Sequence, residues 1–237
     1  MNVQITRVKK PLTLLKVIVF DLDDTLYSEL DYVRSGLEQV AFSLTEEFCI
    51  PKQTLYKLLL KSLEISRSEI FNRVLKEIGF FNQANLKRCI QLYRQHEPQI
   101  YLYSSTLEAI KKLAESYSIY IVTDGHKLVQ ERKLRALKLY DSSFIQKAFI
   151  THRYGLNNAK PSPYCFNLIC KAEKVSPENV VYIADNAKKD FIGIKPLGFK
   201  TIRVNIGQHK HACYSIEHEA ELVVKDLSDA IQSLGEL

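Results

Sequence analysis

No apolar stretch of this chain is long enough to cross a bilayer. Its opening segment, MNVQITRVKKPLTLLK, lacks both the apolar centre and the small-residue cleavage site of a signal peptide. The expected location is therefore the cytoplasm, with no membrane contact. Cysteine is sparse: five residues, Cys49, Cys89, Cys165, Cys170 and Cys213, are odd in number and form no CxxC pair. That excludes a disulfide framework and a zinc-ribbon pattern, and the cysteines read as reduced thiols used for packing. A basic stripe is also missing. The net charge of +6 is dispersed, and the Lys-Lys pairs at 9–10, 111–112 and 188–189 do not line up. Nucleic acid is thus not the expected partner, although a mild positive balance favours small anionic molecules. No internal repeat or low-complexity segment interrupts the chain.

What is present suits a soluble globular protein. Of the 237 residues, 46% are hydrophobic and 25% charged, enough for a sizeable core without staples. The most informative segment is KVIVFDLDDTLY at 16–27. A β-favouring apolar run stops abruptly at Asp21, Asp23 and Asp24, with Thr25 next. Alternation along an extended segment places Asp21 and Asp23 on one side. Two carboxylates that close repel unless a cation or a shared proton intervenes. Such a pair suits a divalent metal, and it suits a division of labour between a nucleophile and an acid/base group.

Five further segments read as strands, at 118–123, 147–151, 180–184, 200–204 and 222–224. Helical spacing occupies 106–116, 127–139, 164–173 and 226–234 between them. Strands alternating with helices predict a Rossmann-like α/β core, a parallel sheet covered on both faces. Residues 28–99 break this alternation with four helical stretches, 30–48, 53–63, 67–78 and 83–96. Pro51 opens one of these helices and Gly79 closes another. The expected organisation is a core of residues 1–27 and 100–237 with an α-helical cap domain inserted at 28–99.

Ligands of an open α/β sheet gather at the carboxyl ends of its strands. Here those ends carry Thr123-Asp124-Gly125 after one strand, Lys160-Pro161 beyond another, and Asp185-Asn186 with Lys188, Lys189 and Asp190 after a third. Taken singly, each is an ordinary cap or surface group. Their common placement with Asp21 and Asp23 points to one site. Elsewhere, His209, His211 and His218 lack metal-ligand spacing and companions. His126 and His152 read as surface groups beside helix or strand ends. Tyr27, Ser28 and Glu29 read as hinge or packing residues at the exit from the core, and Tyr101 and Tyr103 as packing near the return.

In order and context, DLDDT at 21–25, Thr123-Asp124-Gly125, Lys160-Pro161 and ADNAKKD at 184–190 resemble the four motifs of the haloacid dehalogenase (HAD) superfamily. The resemblance spans residues 16 to about 205, and the helical insert resembles the cap of one large subgroup. It implies a Mg²⁺-dependent phosphatase acting on a small phosphorylated metabolite, a sugar phosphate or a nucleoside monophosphate, through an aspartyl-phosphate. It assigns the nucleophile to Asp21 and the general acid, then base, to Asp23, a double role that a raised carboxyl pKa would suit. It assigns Mg²⁺ to Asp21, Asp185 and the Asp23 carbonyl. Thr123, with backbone at Asp124 and Gly125, would hold the phosphoryl group, and Lys160 would neutralise charge. Thr25, Asn186 and Asp190 would support the site, Asp190 either by orienting a metal-bound water or by pairing with Lys160. Asp23 also sets the chain apart from true dehalogenases, which have no acid/base carboxylate there. Ala184 stands where many relatives carry glycine. A phosphotransferase or mutase on the same scaffold, or a non-catalytic binding protein, are the alternatives. Oligomeric state is not legible.

Overall fold

The structure, a computed structural model, describes residues 14–236. The Lys-Lys pair at 9–10, the leader reading of the first residues and the start of the expected core lie outside these residues. Six strands form one parallel sheet: β1 (Val17–Phe20), β2 (Ser118–Thr123), β3 (Lys147–Ile150), β4 (Val180–Ala184), β5 (Lys200–Val204) and β6 (Leu222–Val224). Their spatial order is β3-β2-β1-β4-β5-β6, the doubly wound arrangement. The chain builds outward from β1 in both directions, so the switch in strand order falls beside β1.

The strands read as continuous apolar runs because both faces are covered. Every residue of β1 and β4 is buried. Alternation divides them. Ile18, Phe20, Ile121, Val181 and Ile183 face one cluster, with Leu134 and Leu227. Val17, Val19, Val122, Val180 and Tyr182 face another, with Phe166, Ile169, Phe191 and Phe199. Accordingly α6 (Lys127–Ala136) and α8 (Leu227–Gln232) cover the first face, and α7 (Tyr164–Glu173) covers the second.

Helices α1 (Glu29–Phe48), α2 (Lys52–Ile65), α3 (Ile70–Glu77) and α4 (Gln83–Gln95) follow β1 and pack on one another before α5 (Ser104–Leu113) returns the chain to the sheet. The face of α1 that carries Val33, Leu37, Val40, Ala41 and Leu44 is buried at helical spacing. Gly36 on that helix leaves room for the Tyr93 ring, which would lie 2.5 Å from an added Cβ. No described helix is long and apolar enough to cross a membrane, and all five cysteines are free thiols.

Helix ends shift slightly from the sequence expectation. The third helix starts at Ile70, not 67, because Ser66 is extended and Glu69 is left-handed at φ 58°. Arg73 reaches back to the carbonyls of Ser62 (2.8 Å) and Ser66 (2.6 Å), which a helix terminus leaves without partners. Helix α6 stops at Ala136, since Lys138 is left-handed at φ 58° and the Leu139 N–H closes onto the Leu134 carbonyl at 2.8 Å.

One contact decides how the loop after β4 meets the Lys160 loop. A Cβ added to Gly193 would lie 1.7 Å from the Pro161 carbonyl oxygen. Backbone cannot yield cheaply there. Gly193→Ala is therefore expected to destabilise the fold by about 1–3 kcal/mol or more. A urea melt with an unchanged midpoint would refute the contact.

Candidate active site

Register brings the site together. Phe20 of β1 pairs with Ile121 of β2 and Ile183 of β4. Asp21, Thr123 and Asp185 therefore emerge within two residues of one line across the sheet, at the carboxyl edge beside the switch in strand order. The Asp21 N–H still continues the ladder to the Ile183 carbonyl at 2.9 Å. A cleft of about 130 Å³ opens there, lined by Asp21, Asp23, Asp24, Glu29, Thr123, Asp124, Asp185, Asn186, Lys189, Gln208 and His209.

Asp23 reaches the cleft by a different route from the expected one. The strand stops at Phe20, and residues 21–27 form turns, with Asp24 left-handed at φ 51°. Thus turn geometry, not strand alternation, places Asp21 and Asp23 together. Asp24 holds the turn. Its carboxylate accepts from the Glu29 N–H (2.9 Å), capping α1 in place of Ser28, and from the Gln208 N–H (3.3 Å). Gly207 passes so close that an added Cβ would sit 2.4 Å from Asp24 Cγ.

Lys160 is the hub. It is 6% exposed, and its Nζ lies 2.8 Å from Asp21 Oδ1, 2.7 Å from Asp190 Oδ1 and 2.9 Å from the Tyr182 hydroxyl. Three acceptors satisfy the three donors of an ammonium. Burial alone would lower its pKa, but the Asp190 and Asp21 carboxylates outweigh this and hold it well above the ordinary lysine range. Asp190 thus pairs with Lys160, and it also accepts from the Asn186 N–H at 3.0 Å.

The carboxylates of Asp21, Asp185 and Asp190 each place an oxygen within 4.8 Å of the others. Burial first, with Lys160 opposing and Asp190 adding repulsion, raises Asp21 to about 6. Burial, together with the negative charges of Asp21, Asp190 and Asp24, raises Asp185 to about 9. Among the described residues the Asp185 carboxylate has no hydrogen bond or ion pair. A buried, all-oxygen acidic set with one carboxylate unpaired fits a hard divalent cation.

Asp124 joins three loops through its carboxylate. It accepts from Thr151 Oγ1 (2.6 Å), the Lys160 N–H (3.1 Å) and Lys189 Nζ (3.0 Å). Thr123 Oγ1 meets Gln130 Nε2 at 3.0 Å. Gly125 sits at φ 133°, a conformation that favours glycine. Thr25 is buried, but its hydroxyl has no partner among the described residues, so any support it gives comes from packing.

The composition of the Asp23 environment was not visible in the sequence. Oδ1 accepts from Lys133 Nζ (2.7 Å) and the Tyr27 hydroxyl (2.5 Å), and Oδ2 from Gln130 Nε2 (2.7 Å). Burial pushes this carboxyl up, but Lys133 and then the Tyr27 and Gln130 bonds outweigh it and hold its pKa below the usual range. A raised pKa at Asp23 is therefore not what the fold produces. Gln130 and Lys133 lie three apart on α6, the helix that follows Thr123-Asp124-Gly125. That spacing was the one available signal.

A family profile described as haloacid dehalogenase-like hydrolase matches residues 18–204. The chain belongs to the haloacid dehalogenase-like hydrolase family. It is 27% identical over 232 residues to a glyceraldehyde 3-phosphate phosphatase of Pyrococcus furiosus, covering 93% of each chain. A glyceraldehyde 3-phosphate phosphatase of Methanocaldococcus jannaschii is also 27% identical, over 90% of this chain and 99% of that one. Among solved structures, the magnesium-bound HAD-hydrolase YfnB from Bacillus subtilis superposes with a TM-score of 0.64 at 21% identity, over 93% of this chain and 99% of that one. A 2-haloacid dehalogenase from Pseudomonas syringae pv. Tomato DC3000 gives 0.62 at 18% identity, over 94% and 99%. These likenesses support the same sheet core.

The raised carboxyl values give a pH test. An acid whose folded pKa lies above its unfolded value near 3.8 keeps its proton in the folded state, and the stability this contributes fades as pH rises through the folded value. For Asp21 and Asp185 the window runs from about 4 to about 9. In chelator, the melting temperature is expected to fall across this window. Added Mg²⁺ should restore it most at the alkaline end, by roughly 2–4 °C per kcal/mol of binding. A Mg²⁺ effect that does not grow with pH would argue against the cation site.

Proposed function

We propose that this chain is a Mg²⁺-dependent phosphatase that hydrolyses a small phosphate monoester through an aspartyl-phosphate on Asp21. The observation that carries this reading is the meeting of Asp21, Asp23, Thr123 and Asp185 in one cleft, with the buried Lys160 ammonium bonded to Asp21. The likeness to glyceraldehyde 3-phosphate phosphatases supports a sugar phosphate in preference to a nucleoside monophosphate.

In the first half-reaction a carboxylate oxygen of Asp21 attacks phosphorus. The ester P–O bond breaks, its electron pair goes to the ester oxygen, and Asp23 supplies the proton that completes the alcohol. Because Lys133, Tyr27 and Gln130 keep Asp23 ionised before substrate binds, it must first take that proton up beside the bound phosphate dianion, whose negative charge favours the protonated acid. In the second half-reaction water attacks the phosphorus and gives a proton to the Asp23 carboxylate. The Asp21 O–P bond breaks, and inorganic phosphate and the free Asp21 carboxylate result. Asp21, Asp185 and the Asp23 backbone carbonyl would hold Mg²⁺, which when bound supplies positive charge against the phosphoryl oxygens. Lys160 adds a fixed positive charge on the nucleophile's own oxygen, and Thr123 and Lys189 border the space for the phosphoryl group. Helices α1–α4 act as a cap, with Glu29 at its base bordering the cleft; Asn186 borders the cleft and donates its N–H to Asp190, which with the buried Thr25 supports the site.

Phosphate release with Mg²⁺ from glyceraldehyde 3-phosphate and a panel of sugar phosphates and nucleoside monophosphates tests the reading. Asp21→Asn should lower the rate by roughly three orders of magnitude or more while leaving the fold intact. Equal rates in the two proteins would reject the covalent route. A phosphorylated second metabolite in place of free phosphate would convert the reading to phosphotransfer.

A further inference from the structure

We infer that Lys133 is a positioning residue for the acid/base carboxylate, tying Asp23 to the first helix of the proposed cap. This rests on the role given to Asp23 above. Lys133 is 3% exposed, although it lies on a surface-covering helix of the core. A lysine this buried, next to a catalytic cleft but outside its lining, needs a reason for being there.

Its surroundings supply one. The ammonium lies 2.7 Å from Asp23 Oδ1 and 3.8 Å from Glu29 Oε1, and it sits over the Tyr32 ring at 4.2 Å from the centroid. Asp23 belongs to the turn after β1, whereas Glu29 and Tyr32 belong to α1. One cation from α6 therefore engages both the acid/base residue and the helix that leaves for the cap. Glu29 is further held by Arg67, beyond α2, at 2.5 Å. Tyr27 and Gln130 complete the set around Asp23 at 2.5 and 2.7 Å. The carboxylate is bonded at both oxygens, so its direction is fixed by these donors more than by its own rotamer preference. Lys133 itself does not line the cleft, and it acts on the reaction only through Asp23 and α1.

The consequence can be read from the leaving group. A sugar alcohol leaves only with a proton from Asp23, whereas p-nitrophenolate leaves without one. Lys133→Met is therefore expected to lower kcat for glyceraldehyde 3-phosphate at least about tenfold, with a much smaller loss for p-nitrophenyl phosphate. Lys133→Arg, which keeps the cation, should recover part of the loss. In an Asp23→Asn background Lys133→Met should cause little further loss on the sugar phosphate, because the two residues act as a unit. Should the methionine variant not fold, Lys133→Gln, which keeps a donor and removes the charge, is compared in the same way. Equal losses on both esters, or full additivity with Asp23→Asn, would overturn the inference while leaving the phosphatase reading standing. Wild-type protein that releases phosphate from neither ester would overturn both.

Discussion

The acidic cluster of Asp21, Asp185 and Asp190 at the carboxyl edge of the sheet depends on one buried ammonium. Lys160 sits between Asp21 and Asp190 with the Tyr182 hydroxyl as third acceptor. Without it, the carboxylates would repel one another in a setting where burial alone penalises each charge. With it, Asp190 is held in place, and Asp21 has a fixed partner on one oxygen. Asp185 receives no such partner among the described residues. That asymmetry is what makes the cluster suited to a second cation, since one lysine cannot neutralise three carboxylates.

A second cation divides the labour further. Lys133 organises Asp23 as Lys160 organises Asp21, so the two carboxylates proposed for chemistry stand in different fields. Burial keeps Asp21 raised to about 6, whereas Asp23 is held low by Lys133, Tyr27 and Gln130. Separated environments for two nearby acids are how one fold assigns them different work. Asp124 has another part: it ties the loops of Thr151, Lys160 and Lys189 together and so keeps the edge of the cleft in register.

Much of the fold was legible because its signals are local. Apolar runs ending at Phe20, Thr123 and Ala184 mark strands, and four periodic stretches between residues 28 and 99 mark α1–α4. Asp21, Thr123, Lys160 and Asp185 were legible for a related reason, since the ends of parallel strands share one edge. What escaped was the side-chain company. Gln130 and Lys133 look like the solvent face of an amphipathic helix, yet they are buried because α6 packs with that side against the β1 turn. The hydroxyl of Tyr182 reads as an interruption of an apolar strand until Lys160 is seen beside it.

Sequence alone marked which residues are candidates for chemistry and in what order they fall along the chain, because apolar periodicity and strand-terminal carboxylates are written within a few residues of one another. Tertiary structure decided which of them touch. Parallel register, the left-handed turn at Asp24 and the packing of α6 set distances between residues more than a hundred positions apart, and no local pattern encodes a distance of that kind. The charge state of each carboxylate follows from those distances, which is why Asp21 and Asp23, alike in sequence, differ in the folded protein.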